Sequence, residues 1–203
     1  MITLLIIIII AFTSIKAFNN NEMFIKGSFS PYDIKKFKQH YRFVTHLFLH
    51  ASWEHLIFNL LTLYFFGIFV EKVFKFLFSE FYVTIYILEF LLVGIGSTIP
   101  SYIKNKNNPH YRAIGASGAI SGIVFTSILL EPHNKIYFFF IPIGIPAYIF
   151  GLFYLILSFY LSKKRASFIA HDVHFYGAII GFLFPIVLKP NLLNVFINKI
   201  IYH

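Results

Sequence analysis

Gly115-Ala116-Ser117-Gly118 opens an apolar run that extends to Glu131 and lies between further apolar runs. The run is rich in small residues, which allow helices to approach one another closely. Its roughly 16 residues would form a helix about 24 Å long, whereas the hydrocarbon layer of a bilayer is about 30 Å thick. Such a short helix is expected to lie inside the protein, with Ser117 recessed below the membrane surface.

The composition of the chain is that of an integral membrane protein. Of the 203 residues, 58% are hydrophobic and only 12% are charged, whereas soluble domains carry about 25% charged residues. The absence of cysteine excludes disulfides, thiolate metal sites and a cysteine nucleophile. The net charge is +9, and the basic residues lie mostly in connections between apolar runs. This pattern predicts contact with anionic lipid headgroups and no binding to nucleic acid.

Six apolar runs are long enough to be membrane spans. They cover approximately residues 2–18, 54–71, 81–100, 116–131, 136–161 and 172–188. No internal repeat or soluble domain is visible, so a single membrane domain is expected to occupy residues 1–203. The first run lacks a preceding basic residue and a good cleavage site, which favours an uncleaved anchor over a secretory signal.

Polar side chains stand at the start of three of these runs. His55 and Asn59 lie in the first turns of helix two, Ser117 begins helix four, and His171 and His174 begin helix six. When a chain crosses a membrane serially, its second, fourth and sixth helices begin at the same face. The three polar groups are therefore expected to meet at one face and at similar depth. Unpaired polar groups cost several kcal/mol in hydrocarbon, so these residues are candidates for function.

The residue types suit acyl transfer. A serine hydroxyl becomes a nucleophile when a histidine accepts its proton, which contributes roughly 10²–10⁴ in rate. His55 and Asn59 are four residues apart on one helix face, and both can donate hydrogen bonds to a developing oxyanion. The N–H of Ser117 at a helix N-terminus is a third donor. Apart from Asp172, no acidic residue is placed to orient a base, so a Ser–His dyad is expected.

The chain resembles the rhomboid family of intramembrane serine proteases, and the resemblance covers nearly its whole length. Three motifs that open helices two, four and six carry it: Tyr41–His50 followed by Trp53-Glu54-His55-Leu56-Ile57-Phe58-Asn59, then Gly115-Ala116-Ser117-Gly118, then His174-Phe175-Tyr176-Gly177-Ala178-Ile179-Ile180-Gly181. The last two match the family patterns Gly-x-Ser-Gly and His-x-x-Gly-x-x-x-Gly. The resemblance implies an all-α, six-helix rhomboid-like bundle with a short central fourth helix.

The resemblance also implies the roles of the site residues. Ser117 would be the nucleophile, His174 the general base, and His55 and Asn59 the oxyanion donors of a serine endopeptidase without metal or cofactor. Its substrates would be single-pass membrane proteins, cleaved within their transmembrane segments in the lipid bilayer, with no obligate protein partner evident.

Two histidines remain secondary candidates. His171 precedes the expected base by about one turn, but the register of Gly177 and Gly181 selects His174. His50 in the first loop would orient that loop or lie at the membrane interface.

The sequence departs from the family pattern at two positions. Tyr41-Arg42 stands where the family often has Trp-Arg, which is an exchange between interfacial aromatic residues. Ser121 stands where some members have a tyrosine that stacks on the catalytic base, one turn after the nucleophile. Neither departure removes a catalytic atom, but the second leaves open how His174 is held.

Three other function classes fit part of the pattern. A metal-dependent membrane protease would use His50, His55, His171 and His174, but the chain lacks a His-Glu-x-x-His motif and a convergent carboxylate. A catalytically inactive family member would act by binding membrane proteins, although such relatives usually lack the serine or histidine. A transporter would spread its polar groups along a path instead of gathering them at one face.

The distribution of basic residues bears on which side of the membrane the candidate site faces. Most Lys and Arg residues follow helices one, three and five, so the positive-inside rule turns the candidate site toward the cytoplasm, whereas the resemblance implies the opposite face. Our interpretation follows the resemblance and places the chain in a bacterial-type inner or plasma membrane, with an organellar membrane as the alternative.

Two segments are candidate moving parts. They are helix five, with Pro142, Gly144 and Pro146 near its start, and the 163–170 connection.

Overall fold

The computed structural model of the chain describes residues 1–138, 141–163 and 171–202. The described residues are mostly helical. The helices are α1 (Ile2–Phe18), α2 (Asn21–Gly27), α3 (Pro31–Phe37), α4 (Arg42–Thr45), α5 (Trp53–Thr62), α6 (Ile68–Phe78), α7 (Tyr82–Asn105), α8 (Ser117–Leu130), α9 (Ala147–Ser162), α10 (His171–Leu188) and α11 (Asn191–Ile201). Two strands, β1 (Lys135–Phe138) and β2 (Ile141–Pro146), pair as an antiparallel hairpin.

Helix α8 is the centre of the bundle. It has 14 residues, all of which are buried after Ser117, and it contacts α5, α6, α7, α9, α10 and α11. A helix that is apolar on every side is typical of an element surrounded by protein. The short helix that begins at Ser117 therefore lies inside the molecule.

Helices α8 and α10 touch through their backbones. A Cβ atom on Gly181 would lie 2.2 Å from the Cα of Gly122, and one on Gly177 would lie 2.2 Å from the carbonyl oxygen of Gly118. Only glycine permits this approach. The glycine stripe holds the beginnings of α8 and α10 side by side.

Helices α5 and α6 form one rod with a π-helical turn, Leu63–Gly67, between them. The Oγ of Ser52 caps α5 by accepting a hydrogen bond from the His55 N–H at 3.3 Å. In α6, the Glu71 carboxylate accepts hydrogen bonds from the N–H groups of Ile2 and Thr3, both at 2.9 Å. Because these N–H groups begin α1, Glu71 caps that helix and ties it to α6.

The first part of the predicted fifth span is not helical. Residues 136–146 were expected to begin helix five, but the described residues of this stretch belong to the hairpin, and α9 begins only at Ala147. Pro142 and Pro146 lack the N–H that a helix requires, and Gly144 is a poor helix former. The expectation of an all-α chain is wrong at this hairpin.

Two helical stretches of the described chain, Trp53–Asn105 and His171–Leu188, are long and apolar enough to cross a membrane. The first of these contains α5, α6 and α7. Helices α1, α8, α9 and α11 are also apolar but shorter. The predicted spans near 2–18 and 172–188 fall on α1 and α10, and α11 forms after Pro190.

Candidate active site

Ser117 is the first residue of α8 and follows a sharp turn of the chain. Gly115 has a φ of +118°, a conformation that favours glycine. Its N–H donates to the carbonyl of His46 at 2.9 Å, and a Cβ atom here would lie 2.7 Å from Cε1 of His55. The turn thus brings the first loop and the His55 ring against the backbone two residues before Ser117.

His174 lies beside Ser117. Its Nε2 is 2.8 Å from the Ser117 Oγ, which is hydrogen-bonding distance. His171 stands one turn earlier, with its ring centre 6.1 Å from that of His174. Of the two histidines that begin α10, the structure therefore brings His174 to the serine.

Asp172 does not hydrogen bond to either histidine in the described structure. Its Oδ2 accepts from the Ser101 hydroxyl at 2.6 Å and its Oδ1 from the Val173 N–H at 3.0 Å. The carboxylate is thus used to join α10 to α7. In the described part of the chain, Ser117 and His174 therefore contact each other without a hydrogen bond from the Asp172 carboxylate to His174.

Asn59 faces the same cavity as Ser117 and His174. The cavity has a volume of about 390 Å³. Its other walls are mainly apolar and include Phe58 and Phe65 of the α5 region and Ile120 and Val124 of α8, with Phe150 from α9. The side chain of Asn59 is buried, and its Nδ2 has no hydrogen-bond partner among the described residues.

His50 contacts His55, and neither histidine is among the residues that line this cavity. It is fully buried, its Nδ1 is 3.0 Å from the Ser14 Oγ, and its ring centre is 4.8 Å from that of His55. Burial, with a smaller contribution from the nearby His55, lowers the pKa of His50 to about 3. The neutral ring of His50 supports the position of His55 and ties it to α1.

His46 holds the first loop in a similar way. Its Nδ1 is 2.9 Å from the Arg42 carbonyl, and burial lowers the pKa of His46 to about 4. The ring is therefore neutral at physiological pH, and its Nδ1–H donates to that carbonyl.

Tyr154 of α9 was not identified from the sequence. Its hydroxyl lies 2.7 Å from the Ser121 Oγ, and both residues line the cavity. The sequence signal for this contact was Ser121, which stands where some family members have a tyrosine, because a hydroxyl on a buried helix requires a hydrogen-bond partner. The hydroxyl of Ser121 thus pairs with a tyrosine that α9 supplies.

The metal-site alternative required several histidines to converge. In the part of the chain that the structure describes, no three His, Asp or Glu side chains are grouped as ligands of a metal ion. His50 contacts His55, and His174 contacts His171 and Ser117.

Comparison with known proteins identifies the family. The family model for the rhomboid domain matches residues 38–191. The curated protein "Rhomboid-like protein 11, chloroplastic" from Arabidopsis thaliana is 35% identical over 107 residues, which are 53% of this chain and 35% of that protein. The match thus spans about a third of the length of this relative. The matched domain covers most of the chain, and the protein belongs to the rhomboid family, whose members are embedded in membranes.

Proposed function

We propose that the protein is an intramembrane serine endopeptidase that cleaves peptide bonds in transmembrane segments, with Ser117 as nucleophile and His174 as general base. The contact that carries the proposal is the 2.8 Å distance between the Ser117 Oγ and the His174 Nε2, inside a cavity of a rhomboid-family chain. A nucleophile and a base in hydrogen-bonding contact are the minimal machinery for acyl transfer.

The proposed reaction proceeds through an acyl-enzyme. The Ser117 Oγ attacks the carbonyl carbon while its proton passes to the His174 Nε2, and His174 then protonates the leaving amine as the C–N bond breaks. In the second half, His174 takes a proton from water, the resulting hydroxide attacks the ester, and the proton returns to the Ser117 Oγ. No step requires a metal or cofactor.

His55 and Asn59 are the proposed oxyanion donors. A buried amide N–H without a partner is costly. The Asn59 Nδ2 is such a group among the described residues, and Asn59 lines the same cavity as Ser117. An oxyanion formed on attack would give this donor its partner, so the stabilisation would act in the transition state and not before it. The N–H of Ser117 at the start of α8 is the third donor.

The proposed substrates are single-pass membrane proteins. Apolar walls suit an apolar segment, and an intact helix hides its carbonyls, so the segment must unwind beside Ser117. Water would reach the site from the face at which α5, α8 and α10 begin.

Helix α9 and the hairpin before it are the proposed moving parts, since α9 contributes Phe150 and Tyr154 to the cavity wall. The 163–170 connection, the other candidate from the sequence, lies outside the described residues except for Lys163.

The proposed setting is a six-span arrangement in a bacterial-type inner or plasma membrane. The six spans would be α1, the α5–α6 rod, α7, α8, α9 and α10. The plant relative is chloroplastic by name, which supports an organellar membrane as the second candidate. Reporter fusions at the C-terminus would give the orientation of the candidate site.

Covalent labelling with a fluorophosphonate tests the reaction class directly. We expect the detergent-solubilised protein to be modified at Ser117, and we expect replacement of His174 by Asn to slow modification by about 10²–10⁴-fold, because the base is removed. Mass spectrometry of proteolytic fragments would identify the modified residue. Modification elsewhere, or no modification of a folded sample, would contradict the proposal and favour a binding role.

Replacement of Asn59 by Ala is expected to lower kcat for a single-span substrate by about 10²–10³-fold with little change in KM, because one oxyanion donor is lost. Thr62→Ala is the matched control, since Thr62 lines the same cavity but its hydroxyl bonds to the carbonyl of Phe58 in its own helix. If both variants cleave at the wild-type rate, Asn59 is not an oxyanion donor.

A further inference from the structure

Glu89 is a buried acid that forms no ion pair within the described part of the chain. It is the eighth residue of α7, is fully inaccessible to solvent, and its Oε2 has no hydrogen-bond partner among the described residues. None of the ion pairs among the described residues includes it. A carboxylate in this place would be an unpaired buried charge, which is among the most costly groups in a protein interior.

Thr126 of α8 shows which form of Glu89 is present. Its Oγ1 is in hydrogen-bonding contact with the Glu89 Oε1 and lies 2.8 Å from the carbonyl oxygen of Gly181 in α10. The residue four positions after Gly181 is Pro185, which has no N–H, so this carbonyl lacks its usual helical hydrogen bond. The single proton of the Thr126 hydroxyl is therefore needed by the Gly181 carbonyl.

Because the hydroxyl proton is committed to Gly181, the proton between Thr126 and Glu89 has to come from Glu89. We propose that Glu89 is a positioning residue held as a neutral carboxylic acid, which donates to the Thr126 Oγ1 while Thr126 donates to the Gly181 carbonyl. One chain of two hydrogen bonds then joins α7, α8 and α10.

These two hydrogen bonds involve the same two helices, α8 and α10, that carry Ser117 and His174. Thr126 lies one turn beyond Gly122 on α8, and Gly181 lies two turns beyond His174 on α10. The two hydrogen bonds therefore lock the register of α8 against α10 at the far end of the glycine stripe. This register sets the separation of Ser117 and His174, so the inference rests on the proposed function for its catalytic consequence.

Two substitutions at Glu89 test whether its side chain acts as a hydrogen-bond donor or only fills space in the core. Glu89→Gln keeps a donor for the Thr126 Oγ1, whereas Glu89→Leu keeps the approximate volume and removes it. We expect the Gln variant to retain the wild-type melting temperature and the wild-type rate of fluorophosphonate labelling at Ser117. We expect the Leu variant to label about tenfold more slowly and to have a lower melting temperature. Thr126→Val should resemble Glu89→Leu. Ser127→Ala is the control, because the Ser127 hydroxyl donates to the Val124 carbonyl of its own helix and, among the described residues, to no other helix.

Infrared spectroscopy tests the protonation directly and does not depend on catalysis. The difference spectrum of wild type minus Glu89→Gln is expected to contain the C=O band of one protonated carboxylic acid at neutral pH. A spectrum with only carboxylate bands would overturn the inference, and so would a Leu variant at least as stable as the Gln variant. If the protein proves not to be a protease, the infrared band and the melting temperatures still decide the state of Glu89.

Discussion

Replacement of Ser117 by Ala is expected to reduce cleavage of a single-span membrane substrate by roughly 10⁴–10⁶-fold, because the proposed nucleophile is removed and water has to attack directly. Replacement of His174 by Asn should give a loss of similar size, and the double variant should be little worse than either single one, since the two residues act as a unit. Initial rates with a purified model substrate in detergent measure this effect.

Two matched controls make the result specific to these atoms. Ser121→Ala removes a hydroxyl one turn later on the same buried helix, where it bonds to Tyr154, and His171→Asn removes the histidine one turn before His174. Both variants should retain most of the activity. Cleavage by Ser117→Ala at the wild-type rate would reject Ser117 as the nucleophile. Loss of wild-type activity when a metal chelator is added would favour the metal-protease alternative.

The positions of the helices near the site could be predicted because their signals are local. Small residues at 115–122 indicate a helix that packs closely, and Gly177 and Gly181 have the spacing of one helix face. The structure shows these two surfaces in backbone contact. The expectation that Ser117 meets a histidine of α10 needed one additional argument, namely that alternate helices of a serially crossing chain begin at the same face.

The hairpin was not predicted because the stretch around Pro142 and Pro146 is as apolar as a span. Hydrophobicity alone does not distinguish a strand pair from a helix there. The prolines and Gly144 were the contrary signal, which we interpreted as the moving start of a helix and not as a helix break.

Contacts between distant residues could not be predicted from one sequence. The Ser121 and Tyr154 hydroxyls meet across 33 positions, and Thr126 and Glu89 across 37. Neither pair has a characteristic spacing, and each depends on the rotation of two helices about their axes. Arg42 is a similar case, because it is buried and donates to the carbonyls of Ile25 and Ser28.

Replacement of Gly181 by Ala is expected to have the largest effect on stability. The added methyl group would lie 2.2 Å from the Gly122 Cα and 2.3 Å from its carbonyl oxygen, and backbone atoms of a buried helix cannot move aside as a side chain does. The cost should therefore exceed the 1–3 kcal/mol that is typical of overpacking, roughly 3 kcal/mol or more. Separation of α8 from α10 would also lengthen the distance between Ser117 and His174, so labelling should fall with the melting temperature.

Gly96→Ala is the control that separates overpacking from the general effect of replacing a helical glycine. Gly96 lies within α7. Among the described residues, a Cβ atom there would meet the Cδ1 of Ile180 at 3.0 Å and no other atom, and this Cδ1 is the mobile end of a side chain. Alanine favours helix by about 1 kcal/mol over glycine, so this variant should melt at or above the wild-type temperature. Thermal unfolding in detergent measures both variants. If Gly181→Ala also melts at the wild-type temperature and labels normally, the backbone contact between α8 and α10 is not what holds the serine beside the histidine.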